Sequence, residues 1–406
     1  MKHVAIIGAG PAGMMTGIYL KYLINQTHEK IEVTILEKNE RVGKKILSTG
    51  NGKCNYSNKN VMPGYYNNED FVRPILESFS VSDFINFFKE KGLVTKIDSE
   101  GRMYPITETA TSVIDLLRME LHKNEIKVIT SFHTKEIKKK SNGYILSDGK
   151  NTIFCDFVVV ATGGLAAPVL GSTGDGFRLL GHHGISKTKT YPGLVGLKTT
   201  KDTIKGLSGL RMKGIAKLLL GNDEIYKEAG EIQFKDDGIS GIVIMNITSK
   251  LVRLNSAKLL IDFMPNMEYD EIKEYIYQKI KVYENFDTSH LFVGLLPNSF
   301  ATKILKDLNI NLTQKMKYVN KKQIDSLCNL IKEYPIYYTG TYDYDRAQVT
   351  VGGISLEEVN ESLELKKLPN VYVCGELLDI DGLCGGYNLH FAFASGVYVA
   401  KNILLK

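Results

Sequence analysis

The sequence predicts an α/β fold, a Rossmann-like nucleotide-binding domain interrupted by an inserted domain of a small β-barrel plus helices. Three observations carry that reading. The chain opens on strand, glycine-rich turn, helix and second strand. Two further apolar strands, one mid-chain and one near the C-terminus, end in glycine turns. Between them, from Pro192 to about Tyr344, the α/β alternation gives way to short strands and then amphipathic helices.

The opening elements come first. Val4-Ala5-Ile6-Ile7 is an apolar, buried-type strand, and it runs into Gly8-Ala9-Gly10-Pro11-Ala12-Gly13. Gly8 permits the tight turn, Gly10 lets the backbone approach a pyrophosphate, and Gly13 lets helix and strand pack closely. Pro11 and Ala12 open the helix, whose N-terminus presents unpaired N–H groups and a positive dipole end to phosphates. The second strand, Val33-Thr34-Ile35-Leu36, ends in Glu37-Lys38. Glu37 lies 24 residues beyond Gly13, in range to take a ribose hydroxyl pair. Together these elements predict dinucleotide binding.

Later segments specify the dinucleotide. Phe157–Val160 runs into Ala161-Thr162-Gly163-Gly164, and Val371-Tyr372-Val373-Cys374 runs into Gly375-Glu376. Gly385-Gly386-Tyr387-Asn388-Leu389 then opens a small-residue helix. This arrangement is similar to flavoproteins of the glutathione-reductase and fumarate-reductase type. In those proteins the Ala-Thr-Gly strand returns to FAD, the late Gly-Asp or Gly-Glu holds the ribityl chain, and the following helix points at the pyrimidine edge of the flavin. A helix N-terminus suits that edge, since a reduced flavin is anionic there. FAD is therefore the expected cofactor. Its candidate contacts are Gly8, Gly10, Pro11, Ala12, Gly13, Glu37, Lys38, Lys45, Thr49, Gly50, Thr134, Ala161, Thr162, Gly163, Gly375, Glu376, Gly386, Asn388 and Leu389. No second nucleotide fold is legible for NADH or NADPH, so either would dock transiently as reductant.

Composition sets bounds. The 406 residues suffice for one large domain or two to three modest ones. Apolar content of 43% and charged content of 24% are those of an ordinary globular protein. No run approaches membrane-spanning length, and the chain opens on a strand instead of a signal peptide. Five cysteines with no C-x-x-C pattern argue for a reducing cytoplasm, without a disulfide frame or zinc site. They also exclude the closely spaced cysteine pair of a disulfide reductase. No metal and no membrane partner are expected.

The chain reads as three blocks: residues 1–190 as the first part of the FAD-binding domain, 191–345 as the insert, and 346–406 as the C-terminal part. Within the first, helices are predicted around Ser80–Lys91 and Thr111–Lys123, and strands over Lys127–Ser131, Gly143–Ser147 and Ile153–Val160. Within the insert, Gly193–Phe263 reads as strands punctuated by Gly221-Asn222-Asp223 and Asp236-Asp237-Gly238. Tyr269–Glu284, Ser299–Leu308 and Thr313–Tyr334 have helical spacing.

The run from Arg41 to Asn58, with Gly43-Lys44-Lys45-Ile46-Leu47-Ser48-Thr49-Gly50-Asn51-Gly52-Lys53-Cys54-Asn55 at its centre, resembles the signature of the BaiN/RdsA-like NAD(P)/FAD-dependent oxidoreductases. Further matches follow in order along nearly the whole chain. They are Gly101–Pro105, Ala161–Gly164 with Gly171–Gly176, Gly230–Phe234 with Gly238–Gly241, Ala347–Thr350 with Gly352–Ile354, and Gly375 through Asn388. The sequence departs from the family pattern at Lys235-Asp236, Ile242, Cys384 and His390. The resemblance implies a reductase of C=C bonds conjugated to a carbonyl, acting on steroid-type enones or on uridine in ribosomal RNA. Hydride from flavin N5 would reach the β carbon and an acid would protonate the α carbon. Cys54, in the glycine-rich loop, is a candidate for that acid, and a small packing thiol is its other reading. Tyr387 and His390, at the start of the last helix, complete the catalytic candidates.

Charge bears on the substrate. Residues 186–217 hold eight Lys or Arg against one acid, Asp202, and Lys315, Lys317, Lys321 and Lys322 form a second basic run. A basic, tyrosine-bearing insert suits a polyanion, which points to uridine in 23S ribosomal RNA as substrate. A small-molecule enone reductase and a non-catalytic FAD-bound RNA-binding or redox-sensing protein remain as alternatives.

Overall fold

The computed structural model describes residues 2–27, 29–254 and 256–406. The chain forms two compact units. One comprises the residues up to Pro192 together with Tyr344–Lys406, and the other comprises Gly193–Asp343.

The first unit is built on a five-stranded parallel sheet. Its order is Val371–Val373, Phe157–Val160, β1 (Lys2–Ile7), β2 (Ile31–Leu36), Lys127–Ile129. Val4 pairs with Val33 on one side and with Phe157 on the other. The inner strands are buried on both faces, so they read as continuous apolar runs instead of alternating ones. Helix α1 (Pro11–Thr27) packs against the C-terminal helix Tyr387–Leu404. Because every strand of the sheet is parallel, the segments after β1, after β2, after Val160 and after Val373 emerge at one edge. The connections diverge between β1 and Phe157–Val160, the position where open α/β sheets form ligand crevices.

Several local expectations are adjusted. The run Ile153–Val160 reads as one strand but forms two, Thr152–Cys155 and Phe157–Val160, in different sheets. The break is Asp156, whose carboxylate accepts from the His3 amide at 2.7 Å while its own amide donates to the His3 carbonyl. Ser80 caps the helix Val81–Glu90 in a reciprocal box with Asp83. The sequence Ile242–Leu251 falls in a stretch read as strands, yet it is a helix. Its β-branched residues favour strand locally. Burial of Val243, Ile244 and Ile247 in the core of the second unit overrides that preference.

The second unit holds a seven-stranded antiparallel sheet with its own core. Its two edge strands, Tyr334–Ile336 and Tyr338–Thr341, are consecutive in sequence and flank Tyr337. In the region expected to form a small barrel, this one stretch of chain pairs with Lys258–Asp262 through Tyr334–Ile336 and with Leu197–Thr199 through Tyr338–Thr341. Its long hairpin, Arg211–Leu220 with Asp223–Phe234, turns at Gly221-Asn222. The segment Thr313–Tyr334 is shorter as a helix than its spacing suggests. A capping box from Asn320 and Gln323 starts the helix at Lys321, and the chain enters a strand at Tyr334.

Candidate active site

The glycine turn after β1 has the geometry that its spacing requires. Gly8 sits at φ +106°, and its amide donates to the Leu36 carbonyl at 2.8 Å. A Cβ on Gly13 would lie 2.0 Å from the Gly8 carbonyl oxygen, so only glycine fits there. A Cβ on Gly10 would meet nothing within 4 Å. Gly13 is therefore required by the fold, whereas Gly10 leaves open space beside the backbone. Pro11 begins α1, where its missing N–H costs nothing, and Ala12 is buried behind it.

Glu37 is buried at the end of β2. One carboxylate oxygen accepts from the Ala9 amide at 2.9 Å, and the other from the amide and the side chain of Asn39, both at 2.8 Å. The carboxylate thus fixes the glycine turn to its neighbour strand. Lys38 turns to Thr173 at 2.6 Å and to Asp175. Asp175 also meets Arg178 and, at 3.2 Å, His133 Nε2. Burial raises its carboxyl, but Lys38, Thr173 and His133 together hold it below the usual range. The Gly171–Gly176 run is legible in the sequence, but this role of Asp175 is not. Its position inside that motif was the available signal. The Phe132 amide donates to the Glu37 carbonyl at 2.9 Å, which brings Thr134 beside the same end of the sheet.

Thr134 Oγ1 and Thr162 Oγ1 are two of the four buried hydroxyls without a hydrogen-bond partner among the described residues. Both are candidate cofactor contacts. Buried polar atoms are ordinarily satisfied, so unpartnered hydroxyls after the strand ends of the parallel sheet fit a bound polar group. Ala161 continues the parallel sheet, its amide donating to Ile7 at 2.8 Å, and Gly163 follows at φ +71°.

The other strand-end turn is Gly375-Glu376. Glu376 accepts from Lys45 Nζ at 2.7 Å with one oxygen and from the Thr350 amide at 2.8 Å with the other. Thr350 Oγ1 in turn accepts from the Leu165 and Ala166 amides at 2.7 and 3.1 Å. Thr350 lies in a quoted motif, but its part in joining three segments was not legible from spacing. Thr49 and Gly50 shape the preceding loop. The Thr49 carbonyl accepts from the Cys54 amide at 3.0 Å, and Gly50 takes a left-handed conformation.

The start of the last helix is held tightly. Asn388 binds the backbone of Gly382 through both side-chain atoms, at 2.8 and 2.9 Å, and Leu383 at 3.2 Å. Its side chain therefore closes the 382–388 loop. Leu389 is partly buried beside it, and Gly386 at φ +98° opens the helix.

The three catalytic candidates separate by burial. Cys54 has no exposure, and burial pushes its thiol up to about 12 despite a hydrogen bond with Thr49. His390 also has none. Its Nδ1 meets Ser57 Oγ at 2.9 Å, its ring lies against Phe84 at 5.1 Å, and burial pushes it down to about 3. Both are enclosed by protein, and for Cys54 this matches the packing alternative. Tyr387 retains 8% exposure, the edge of its ring meets Tyr65 at 5.2 Å, and burial pushes its phenol up to about 12. It is a protonated donor throughout the neutral range.

Comparison with known proteins follows this geometry. Residues 2–402 match the HI0933-like protein Rossmann domain family. A 3-dehydro-bile acid delta(4,6)-reductase of Clostridium scindens is 31% identical over 408 aligned residues, covering 99% of this chain and 98% of the relative. A ribosomal RNA dihydrouridine synthase of Escherichia coli is 26% identical, covering 98% of this chain and 97% of the relative. Among solved structures, the 3-ketosteroid delta1-dehydrogenase of Sterolibacterium denitrificans is similar in fold. Its TM-score is 0.51 at 13% identity, with full coverage of both chains.

Proposed function

The chain belongs to the HI0933-like Rossmann family and is an oxidoreductase of the FAD-binding kind. On that premise we propose that it reduces a carbonyl-conjugated C=C bond with electrons from NADH or NADPH, and that its substrate is uridine in 23S ribosomal RNA. When bound, FAD supplies the hydride that reaches the β carbon.

The chain's own groups do the rest. Gly10 gives the pyrophosphate room, and the α1 N-terminus faces it with unpaired amides. Glu37 orders the turn, and the hydroxyls of Thr134 and Thr162 would be available to the cofactor's polar atoms. Lys45 and Glu376 would together hold the ribityl region, and the Asn388 side chain fixes the loop that opens the last helix. Tyr387 gives its proton to the α carbon, and its high pKa keeps it protonated until that moment. Uridine fits this chemistry because its C5=C6 bond is conjugated with the C4 carbonyl. The hydride would go to C6 and the proton to C5.

One observation carries the choice of RNA: the outward face of the long hairpin is basic. Arg211, Lys213 and Lys217 alternate with the buried Met212 and Ala216, and Lys227 pairs across from Lys217. Glu231, across from Lys213 and 3.6 Å from Arg211, and Glu224, 3.1 Å from Lys227, offset part of this. Lys187 and Lys189, counted in the same basic run, belong to the first unit. The enone reading is favoured by the bile-acid reductase relative, whose substrate shares the conjugated double bond. Incubating the purified flavoprotein and NADPH or NADH with protein-free 23S rRNA, or with a steroid enone, tests the choice. A gain of two hydrogens in uridine supports the proposal. Turnover of the enone alone removes it.

A further inference from the structure

In the second unit, the C-terminal end of the helix Tyr269–Val282 and the turn after it meet the short helix Met316–Tyr318. The Met316 amide donates to the Phe286 carbonyl at 2.9 Å, and the Lys317 amide donates to Glu284 at 3.0 Å. Asp287 bridges to Lys315. The two segments form one surface, and three of its rings face solvent. Tyr283 is 40% exposed, Phe286 55% and Tyr318 66%. Exposed aromatics of this size, grouped together, mark an interaction surface.

The charge around these rings selects the partner. Lys279 Nζ lies over the Tyr283 ring at 4.8 Å, and Lys317 Nζ over Tyr318 at 5.6 Å. Lys317 also donates to the Asn285 side chain at 2.8 Å, which pins its ammonium beside the rings. Across residues 279–290 and 315–322 there are six lysines against two carboxylates, Glu284 and Asp287. Exposed rings with ammonium groups close by are the combination that binds unpaired nucleic acid. Every base offers a π-face to stack, and each phosphate takes a cation.

We infer that this surface is a stacking platform for an unpaired segment of RNA. It is separate in sequence from the basic hairpin face, and it would grip single-stranded nucleotides, whereas the hairpin face supplies only charge. The inference rests on the RNA reading of the substrate and names the structural class of RNA that is bound.

The test uses the FAD-loaded full chain and two fluorescent probes, a short oligouridine and an RNA duplex of equal length. Phe286→Ala and Tyr318→Ala should each weaken oligouridine binding about tenfold, with an unchanged salt dependence. Tyr318→Trp should restore it, since stacking needs a ring and no hydroxyl. Lys317→Gln should lower the log–log salt slope by about 0.7. Duplex binding should be unaffected by the ring substitutions. If the wild type binds RNA and the alanine variants bind oligouridine equally well, the platform is wrong and the RNA reading stands. If the wild type binds neither probe, both fall. Ring substitutions that change only self-association in sedimentation would make the surface a protein contact and overturn the inference.

Discussion

Lys45 and Glu376 lie 331 residues apart in sequence, and their charged atoms meet at 2.7 Å. The pair joins the glycine-rich loop after β2 to the turn after the last strand of the parallel sheet. Both side chains are about three-quarters covered, at 24% and 20% exposure, so the contact is better shielded than an ordinary surface pair. Glu376 also anchors Thr350, so a single carboxylate organises three segments of the proposed flavin site.

Removing one partner should therefore loosen the site. Lys45→Met is expected to weaken FAD binding about tenfold, the effect of losing roughly 1.4 kcal/mol. In a double-mutant cycle with Glu376→Gln, the two losses should be less than additive, because the residues act as a pair. Flavin fluorescence titration of the apoprotein measures this. Strictly additive losses would make the ion pair incidental.

The two inner glycines of the turn should behave differently. A Cβ at position 10 meets no protein atom within 4 Å, so the Gly10→Val apoprotein should fold with a nearly unchanged melting temperature yet purify without yellow colour. Gly13→Val would drive its side chain into the Gly8 carbonyl and should fail to give soluble protein. A yellow Gly10→Val protein would misplace the pyrophosphate.

These glycines were legible because turn chemistry is local. The spacing of Gly8, Gly10 and Gly13 states a backbone requirement that no distant residue can change. The strand-end sequences after Val160 and Val373 are legible for the same reason. What escaped depended on distance in sequence. Asp175 gathers Lys38, His133 and Arg178 only once the fold brings them together. Thr350 reads as an ordinary strand residue until it meets Leu165 and Glu376. The burial of Cys54 and His390 is likewise a tertiary fact. A cysteine in a glycine-rich loop looks accessible, but Tyr56, Phe84 and Phe88 build an aromatic cluster beside that loop. The helix Ile242–Leu251 escaped because its apolar, β-branched run satisfies strand propensity and a buried helix equally well.

Burial of neutral His390 makes stability depend on pH. Its folded pKa, about 3, lies below the ordinary value of 6.5, so the unfolded chain binds the extra proton first. The contribution is complete above pH 6.5 and is lost as pH falls toward 3, at up to about 1.4 kcal/mol per pH unit. His390→Gln should flatten this part of the profile. Urea midpoints at pH 7.5 and 5 should converge in the variant relative to wild type. An identical pH profile would contradict the burial argument.

Tyr387→Phe separates chemistry from packing. The variant should retain FAD and its reduction by NADH or NADPH, while substrate reduction falls about 10²–10⁴-fold. Because the phenol stays protonated to about 12, wild-type turnover should show no alkaline loss from this group below pH 10. Cys54→Ala should instead leave turnover within about threefold and lower stability by about 1 kcal/mol, as expected for a small buried packing group. The reverse pattern would return the proton donor to the cysteine.

The central claim is that this flavoprotein reduces uridine in 23S ribosomal RNA, and nucleoside mass spectrometry tests it most directly. The RNA would come from a strain lacking the protein and from the same strain with the wild-type or the Tyr387→Phe gene restored. The account expects dihydrouridine to disappear from one position of 23S rRNA and to return with the wild-type gene alone. Unchanged dihydrouridine in the strain without the protein would contradict it.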